Sequence, residues 1–295
     1  MSWRERTGAS ERTHSFSLLY DTIRWEEKAI VAAAEKRGVR ANLVDSKDLS
    51  IDLSSRGPSL PDQVVLQRCV SYFRNVHTTA ALEAAGHRIV NGFACAWTCG
   101  NKLFGTLELE KHNIPTPRTL LSLSEDSALR SVEEVGYPAV LKPVVGSWGR
   151  MSALLKDRDA ARAVIEDREY MFPLYQVYYV QQFVKRPPRD IRTFVIGDET
   201  VAAIYRYSGD TEWRTNTARG GRAEACKVTP ELNELSLRAA RAMGGEFVGV
   251  DLMEGPGGFV VHEVNNTTEF KNTVPATGID IPGMIVDYLV SIQKR

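Results

Sequence analysis

Apolar positions along the chain change period repeatedly, and those changes divide it. SFSLLYD (15–21) is a short apolar-rich run of strand length. IRWEEKAIVAAAEKRG (23–38) repeats its apolar residues at helical spacing and stops at Gly38, a residue suited to a helix C-cap. VRANLVD (39–45) and QVVLQRCV (63–70) predict two more strands. SYFRNVHTTAALEAAG (71–86) predicts a helix closed by Gly86, and HRIVNG (87–92) a short strand. Strands alternating with helices predict a parallel, Rossmann-like sheet. No G-x-G-x-x-G follows any of these strands, so a dinucleotide role has no motif behind it. Asp21, just past the first strand, reads as a cap rather than a site residue.

From Asn101 the pattern changes. NKLFGTLELEKHNIPTPRTLLSLS (101–124) predicts a helix, a proline turn and a strand, and SEDSALRSVEEVG (124–136) a helix with Ser124 as N-cap. YPAVLKPVVGSWGRMSALLK (137–156) predicts two strands around a glycine-containing turn, then DRDAARAVIEDREYM (157–171) a helix. Beyond it VYYVQQFV (177–184) predicts a strand, and DIRTFVIGDETVAAIYRYSG (190–209) a hairpin turning at Gly197-Asp198. ELNELSLRAARAMGG (231–245) predicts an amphipathic helix, EFVGVDLMEGPGGFVVHEVNN (246–266) a second hairpin turning at 255–258, and IPGMIVDYLVSIQKR (281–295) a closing helix. The fold class predicted is α/β followed by α+β. The units expected are a flexible leader (1–14), an N-terminal Rossmann-like domain (15–100), a central unit (101–176) and a C-terminal antiparallel unit (177–295).

Composition acts mainly by exclusion. Lys+Arg and Asp+Glu are both 37, and a zero net charge favours neither nucleic acid nor a membrane surface as a partner. No apolar run approaches the ~20 residues a spanning helix needs. The start, MSWRERTGASERTHS, has no apolar core for an export signal, so a cytoplasmic protein with reduced cysteines is expected. Cys95 and Cys99, in CAWTC, have no second pair at ligand spacing and read as buried thiols.

Candidate chemistry gathers at strand ends. Lys142 closes the apolar run AVLK, ahead of a loop where Gly146 and Gly149 flank Ser147 and Trp148. Such glycines let backbone N–H groups approach an anion, although a plain hairpin turn reads as well. Asp190 and Arg192, two apart on a strand, share a face, either as a surface ion pair or as a buried pair that holds an anion. Arg206, between Tyr205 and Tyr207, has the same two readings. RTNTARGG (214–221) is either an unforced loop or, through Asn216 and Arg219, an anion-contacting one. Arg186, Arg189, Arg214, Arg219 and Arg222 are either a solvated surface or a local basic patch. The clearest geometry is Asp251 on one strand of the last hairpin with Glu263 and Asn265 on one face of the other. Hard oxygen donors converging there suit Mg²⁺, which carboxylates hold together with substrate phosphates, although an exposed sheet face with ordinary acids reads as well. His262, next to Glu263, is expected on the opposite face with a structural role.

Taken together the motifs resemble an ATP-grasp ligase. The asparagine–lysine pair at 101–102, VLKPVVGSWGR, YVQQFV, RDIRTFV, NTARGG, GVDLM and HEVNNTTEFKN occur in that family's order, from about residue 16 to 290. The chain resembles the RimK-like group, and within it the LysX-type ligases that join α-aminoadipate to the terminal glutamate of a small acidic amino-group carrier protein. The resemblance implies an ATP-grasp fold, ATP and two Mg²⁺ as cofactors, and a homo-oligomer, dimeric or tetrameric. It implies that Lys102 and Lys142 contact phosphates, with Gly146, Ser147, Trp148, Gly149 and Arg150 as a lid. It places Gln181, Gln182, Phe183 and Val184 at the adenine, and Asp190, Arg192, Arg206 and Asn216 at the phosphates, the last three in catalysis. It gives the metal to Asp251, Glu263 and Asn265, and the amino-acid substrate to Arg219, Asn266, Thr267, Phe270, Asn272 and Thr273. Gln182 departs from the glutamate that relatives often carry, which removes a charge near the ribose. Asn272-Thr273 stand where glutamate-specific relatives have Gly-Phe. Glutamate as substrate, another RimK-like glutamate ligase, and a catalytically silent nucleotide-binding module are the competing readings.

Overall fold

The computed structural model describes residues 14–54, 59–208, 213, 215 and 222–293. The expected leader to Thr13 and most of 209–221, with Arg214, Asn216 and Arg219, therefore lie outside the described residues.

The N-terminal unit comprises β1 (Ser15–Tyr20), α1 (Trp25–Lys36), β2 (Arg40–Asp45), β3 (Val64–Gln67), α2 (Tyr72–Ala84), β4 (Arg88–Val90) and α3 (Phe93–Cys99). Its strands are parallel in the order β2-β1-β3-β4, as the alternating pattern predicts. Gly38 follows α1 at φ +66°, a left-handed position that a Cβ would disfavour. Helix α3 is absent from the sequence reading, since seven residues ending in the cysteine pair give too little periodicity to see. Asp21 does act as a cap, but for a different element. Its carboxylate accepts from the N–H groups of Val70 and Ser71, where α2 begins.

The central unit runs α4 (Lys102–Lys111), β5 (Thr119–Ser122), α5 (Glu125–Val135), β6 (Ala139–Lys142), β7 (Ala153–Leu155), α6 (Arg158–Glu169) and β8 (Tyr178–Gln182). Strand β8 pairs with β5 and β6, so the expected boundary at 176/177 moves beyond Gln182. A lone apolar strand cannot announce which sheet it will join, because pairing is a non-local choice. Ser124 caps α5 by accepting from Ser127 N–H.

The C-terminal unit holds β9 (Arg189–Ile196), β10 (Glu199–Tyr207), β11 (Ala223–Ala225), α7 (Pro230–Ala242), β12 (Phe247–Gly255), β13 (Gly258–Asn265), α8 (Thr273–Thr277) and α9 (Ile281–Gln293). Its sheet is antiparallel, β11-β10-β9-β12-β13. Helix α9 packs on α1, and the core beneath it joins Phe16, Leu18 and Ile30 to Phe194, Phe247, Phe270 and Ile285. The N- and C-terminal units thus share one apolar core, whereas the central unit has its own around Val132, Leu141, Ile165 and Val180. Among the described residues no helix is long and apolar enough to cross a membrane.

Candidate functional site

A cavity of about 910 Å³ lies where the three units meet. One wall is Lys142 at the end of β6 and the 143–152 connection to β7. That connection is too long for a tight hairpin turn, and Gly146, Trp148, Gly149 and Met151 all carry positive φ in it. Its far end is fixed by the Arg168 guanidinium, which donates to Met151 O at 2.6 Å. Gly146, Ser147, Trp148 and Gly149 line the cavity, whereas Arg150 does not and instead lies over the Trp148 ring at 4.9 Å. Lys102, at the start of α4, also lines it. Its ammonium donates to Gly146 O at 2.6 Å and lies 3.6 Å from Glu263 Oε1.

The Lys142 ammonium is held by two neighbours. It donates to Gln181 Oε1 at 2.6 Å, while Gln181 Nε2 donates to Thr119 Oγ1 and Tyr179 OH. Its second contact is His262 Nε2. Burial pushes the Lys142 ammonium down to about 7, with Lys102 and Arg186 adding to the effect and Glu263 opposing it. Both ends of the Gln181 side chain are thus engaged, the oxygen by Lys142 and the amide nitrogen by Thr119 and Tyr179. Gln182, Phe183 and Val184 continue along the cavity wall.

His262 is the main correction to the sequence reading. Strict alternation would point it away from Glu263, but the register jumps between Asp251–Glu263 and Leu252–Val261. A β-bulge leaves His262 as the extra residue of β13, and the bulge re-aims it into the cavity beside Glu263. Burial holds its imidazolium well below the ordinary histidine range, and the Lys142 charge adds to this.

The arginines and aspartates do not pair along one strand. Asp190 is registered opposite Arg206, and Asp251 opposite Arg192. Directly opposed side chains are closer than i,i+2 neighbours, so the ion pairs form across strands. Arg192 grips Asp251 through Nε and Nη2 at 2.6 and 2.7 Å, and Arg206 grips Asp190 at 2.7 and 2.8 Å. Arg206 also reaches Asp251 Oδ2 at 3.1 Å, which links both pairs into one network. Burial alone would raise the Asp251 carboxyl, but Arg192 and Arg206 hold it well below the usual carboxylate range. Thr215 Oγ1 adds a bond to Asp190.

Asp251, Glu263 and Asn265 do converge on this cavity, and Asn265 Nδ2 donates to Asp251 Oδ2 at 3.3 Å. Among the described residues no group of three or more His, Cys, Asp or Glu forms a closed cage for a metal ion. Two carboxylates and an amide oxygen on one wall instead fit an ion whose remaining positions are filled from a bound substrate, the habit of Mg²⁺. Cys95 and Cys99 meet at 3.8 Å between sulfurs as free thiols; Cys95 is buried as expected, whereas Cys99 is half-buried and lines the cavity.

The cavity is also lined by Asn266, Thr267, Asn272 and Thr273, and by Arg24, Trp25 and Tyr72 of the N-terminal unit. Phe270 does not belong to it. The ring is fully buried, packed edge-on against Trp25 at 5.9 Å and Phe247 at 6.1 Å. Its neighbours in sequence are polar, so it reads as part of the site, yet it anchors the segment into the shared core. Among the described residues, two arginines of the expected basic patch are ion-paired. Arg189 is bidentate to Glu254, and Arg222 pairs with Glu224. Arg186 turns to the carbonyls of Pro187, Arg189 and Trp213. The N-terminal share of the wall has no signature in the sequence, since no motif links residues so distant in the chain.

Residues 16–98 match the LysX preATP-grasp domain, and residues 100–289 match the RimK-like ATP-grasp domain. The alpha-aminoadipate–LysW ligase LysX of Sulfolobus acidocaldarius is 41% identical over 277 residues, which cover 92% of this chain and 100% of that one. The glutamate–LysW ligase ArgX of Sulfurisphaera tokodaii is 33% identical over 274 residues, covering 92% of this chain and 96% of that one. Among solved structures, a RimK domain ATP-grasp protein from Sphaerobacter thermophilus superimposes with a TM-score of 0.78 at 28% identity, over 93% of this chain and 98% of that one.

Proposed function

This chain belongs to the RimK-like ATP-grasp ligases, and on that premise we propose that it joins the α-amine of α-aminoadipate to the γ-carboxylate of a carrier protein's C-terminal glutamate. The observation that carries this reading is one continuous cavity. It is lined by Lys102 and buried Lys142, by the carboxylates of Asp251 and Glu263, and by Asn272 and Thr273. A nucleotide, a phosphoryl transfer and a second substrate need those three sets of groups in one cavity.

The γ-phosphoryl of ATP passes to the glutamate carboxylate, and the aminoadipate amine then attacks the acyl phosphate. Products are an isopeptide bond, ADP and phosphate. Lys102 and Lys142 bind phosphate oxygens. Arg192 and Arg206 meet their acids through Nε and Nη2, which leaves the Nη1 side of each for the charge that spreads over the transferring group. Asp251, Glu263 and Asn265 would hold Mg²⁺, in the two-ion form, whose charge screens the phosphoryl oxygens. No side-chain nucleophile takes part. Alignment of the bound groups within the cavity provides the rest.

Asn272 and Thr273 carry the choice of amino acid. Their amide and hydroxyl can satisfy a distal carboxylate, and a one-methylene difference in length is worth only about 1–3 kcal/mol, or 10- to 200-fold. The direct test measures ADP release with ATP, the carrier protein and either amino acid. Turnover with glutamate but not aminoadipate would overturn the specificity, and ATP binding with no ligation would overturn the reaction. In the pair Asn272→Gly and Thr273→Phe, preference is expected to move towards glutamate by about 10-fold or more. Thr273 is 1% exposed, so the larger ring will also cost stability, about 1–3 kcal/mol by overpacking. Selectivity that stays unchanged in a folded double variant would remove this pair from the argument.

A further inference from the structure

The segment that links β13 to α8, residues 266–272, has no ladder of its own to fix its shape. Its polar groups are instead tied to side chains of the N-terminal unit. Asn266 O accepts from Asn91 Nδ2 at 2.9 Å, and Thr267 Oγ1 from Asn75 Nδ2 at 3.1 Å. Thr268 O accepts from Arg68 Nη2 at 3.1 Å. The N–H groups of Phe270 and Lys271 both donate to Glu26 Oε1, at 3.1 and 2.9 Å. Beneath the segment, Thr268 packs so closely on β12 that a Cβ at Gly249 would collide with its hydroxyl.

Of the anchoring side chains, Arg68 is itself fixed. Arg68 and Glu27 are fully buried and form an ion pair at 3.0 Å, and Glu27 also binds Arg24 at the cavity wall. The Arg68 guanidinium lies over both the Phe247 and the Phe270 rings, 5.7 and 6.0 Å from their centroids. Holding two domains together needs no buried charge, since well-packed apolar residues do that at least as well. What a guanidinium and a carboxylate add is direction. They hold particular carbonyl and N–H groups at set positions.

We infer that Glu26 and Arg68 are positioning residues for the amino-acid substrate. They hold the 266–271 backbone so that Asn272 and Thr273 stand at the distance that selects substrate length. This rests on the proposed ligase reaction. Discrimination between amino acids one methylene apart demands placement finer than one bond length, and an unstructured connection can supply that only when it is clamped. Selectivity is then a joint property of the N-terminal unit and the Asn272-Thr273 pair, and grafting the pair alone into a relative will not transfer it.

The experiment compares Glu26→Ala with Glu26→Gln. The glutamine keeps an oxygen that can accept both N–H bonds, whereas alanine cannot. With Glu26→Ala, KM for aminoadipate is expected to rise about 10-fold or more, because small misplacements at a reacting site are costly. The aminoadipate-to-glutamate ratio falls towards one, while KM for ATP stays within about 3-fold of wild type. Glu26→Gln retains the wild-type values. Equal impairment of the two variants, or parallel movement of both KM values, would overturn the inference. Arg68→Met is expected to follow Glu26→Ala; if it fails to fold, the Glu26 pair decides alone. If the wild-type protein ligates neither amino acid, the ligase reading falls, and the clamp is judged by hydrogen exchange of the Phe270 and Lys271 amides. Faster exchange in Glu26→Ala but not in Glu26→Gln supports the clamp, and unchanged exchange overturns it.

Discussion

Replacing Asp251 with asparagine is expected to lower folding stability by about 3–5 kcal/mol and to abolish ADP release. Its carboxylate is shared by two guanidiniums, at 2.6 and 2.7 Å from Arg192 and 3.1 Å from Arg206. Arg192, Arg206, Asp190 and Asp251 form a charge-balanced set, with side chains only 6–15% exposed. The asparagine matches the shape but removes one negative charge, so an uncompensated guanidinium stays buried. Urea denaturation measures this directly. A variant within about 1 kcal/mol of wild type would mean that the network contributes little to the fold. The double variant Asp251→Asn with Arg192→Gln is expected to regain part of the stability and none of the activity, which separates the two roles. Since the Asp251 carboxyl sits below its ordinary range, its contribution is complete above the ordinary carboxylate pKa of about 3.9. It is lost as the pH falls towards the depressed value of the folded state.

Lys142→Met is expected to do the reverse to stability. A lysine titrates near 10.4 in an unfolded chain and at about 7 in this site. Between those values the unfolded state binds more protons, so stability rises with pH; below about 7 the penalty of burying the ammonium is present in full. Methionine keeps the apolar stem without the charge. At neutral pH the variant is expected to be more stable by on the order of 1–3 kcal/mol, after allowing for the bond lost to Gln181. The rise in stability from pH 7 to 10 should largely disappear. kcat/KM for ATP falls about 100-fold or more, because a cation aimed at the phosphates is gone. Thermal unfolding across pH, beside steady-state kinetics, checks both. A variant less stable than wild type at pH 7, or one with the same pH slope, would mean that Lys142 is not held as a costly buried charge. The opposition of the two effects is what a group placed for binding rather than for folding should give.

The two cases differ in how well local sequence exposes them. Lys142 closes an apolar run before a glycine loop, so its position at a strand end is visible in the residues themselves. Asp251 can be recognised as an oxygen donor, but its partners cannot, because pairing follows the register of three strands. Asp190 and Arg192 look like a natural pair when read along β9. In the fold each turns to the residue opposite it. Strand β8 shows the same limit, since its composition predicts a strand but not its sheet.

What the sequence determined by itself was the set of elements and the set of chemical groups. Hydrophobic period, caps and turn glycines are local properties, and they yield the parallel unit, the hairpins and the closing helix. Motif order likewise carries the family, because spacing along a chain survives without coordinates. Which groups face one another came from the folded arrangement. A single inserted residue at the β13 bulge brings His262 into the cavity against the alternation rule. Fully buried Phe270 serves as an anchor amid polar neighbours. Glu26 and Arg68, some 200 residues or more from the segment they hold, take part in the site through backbone bonds that no motif encodes. The physical reason is common to all three. Local propensity fixes conformation over a few residues, whereas contacts between distant segments depend on register and packing of the whole chain.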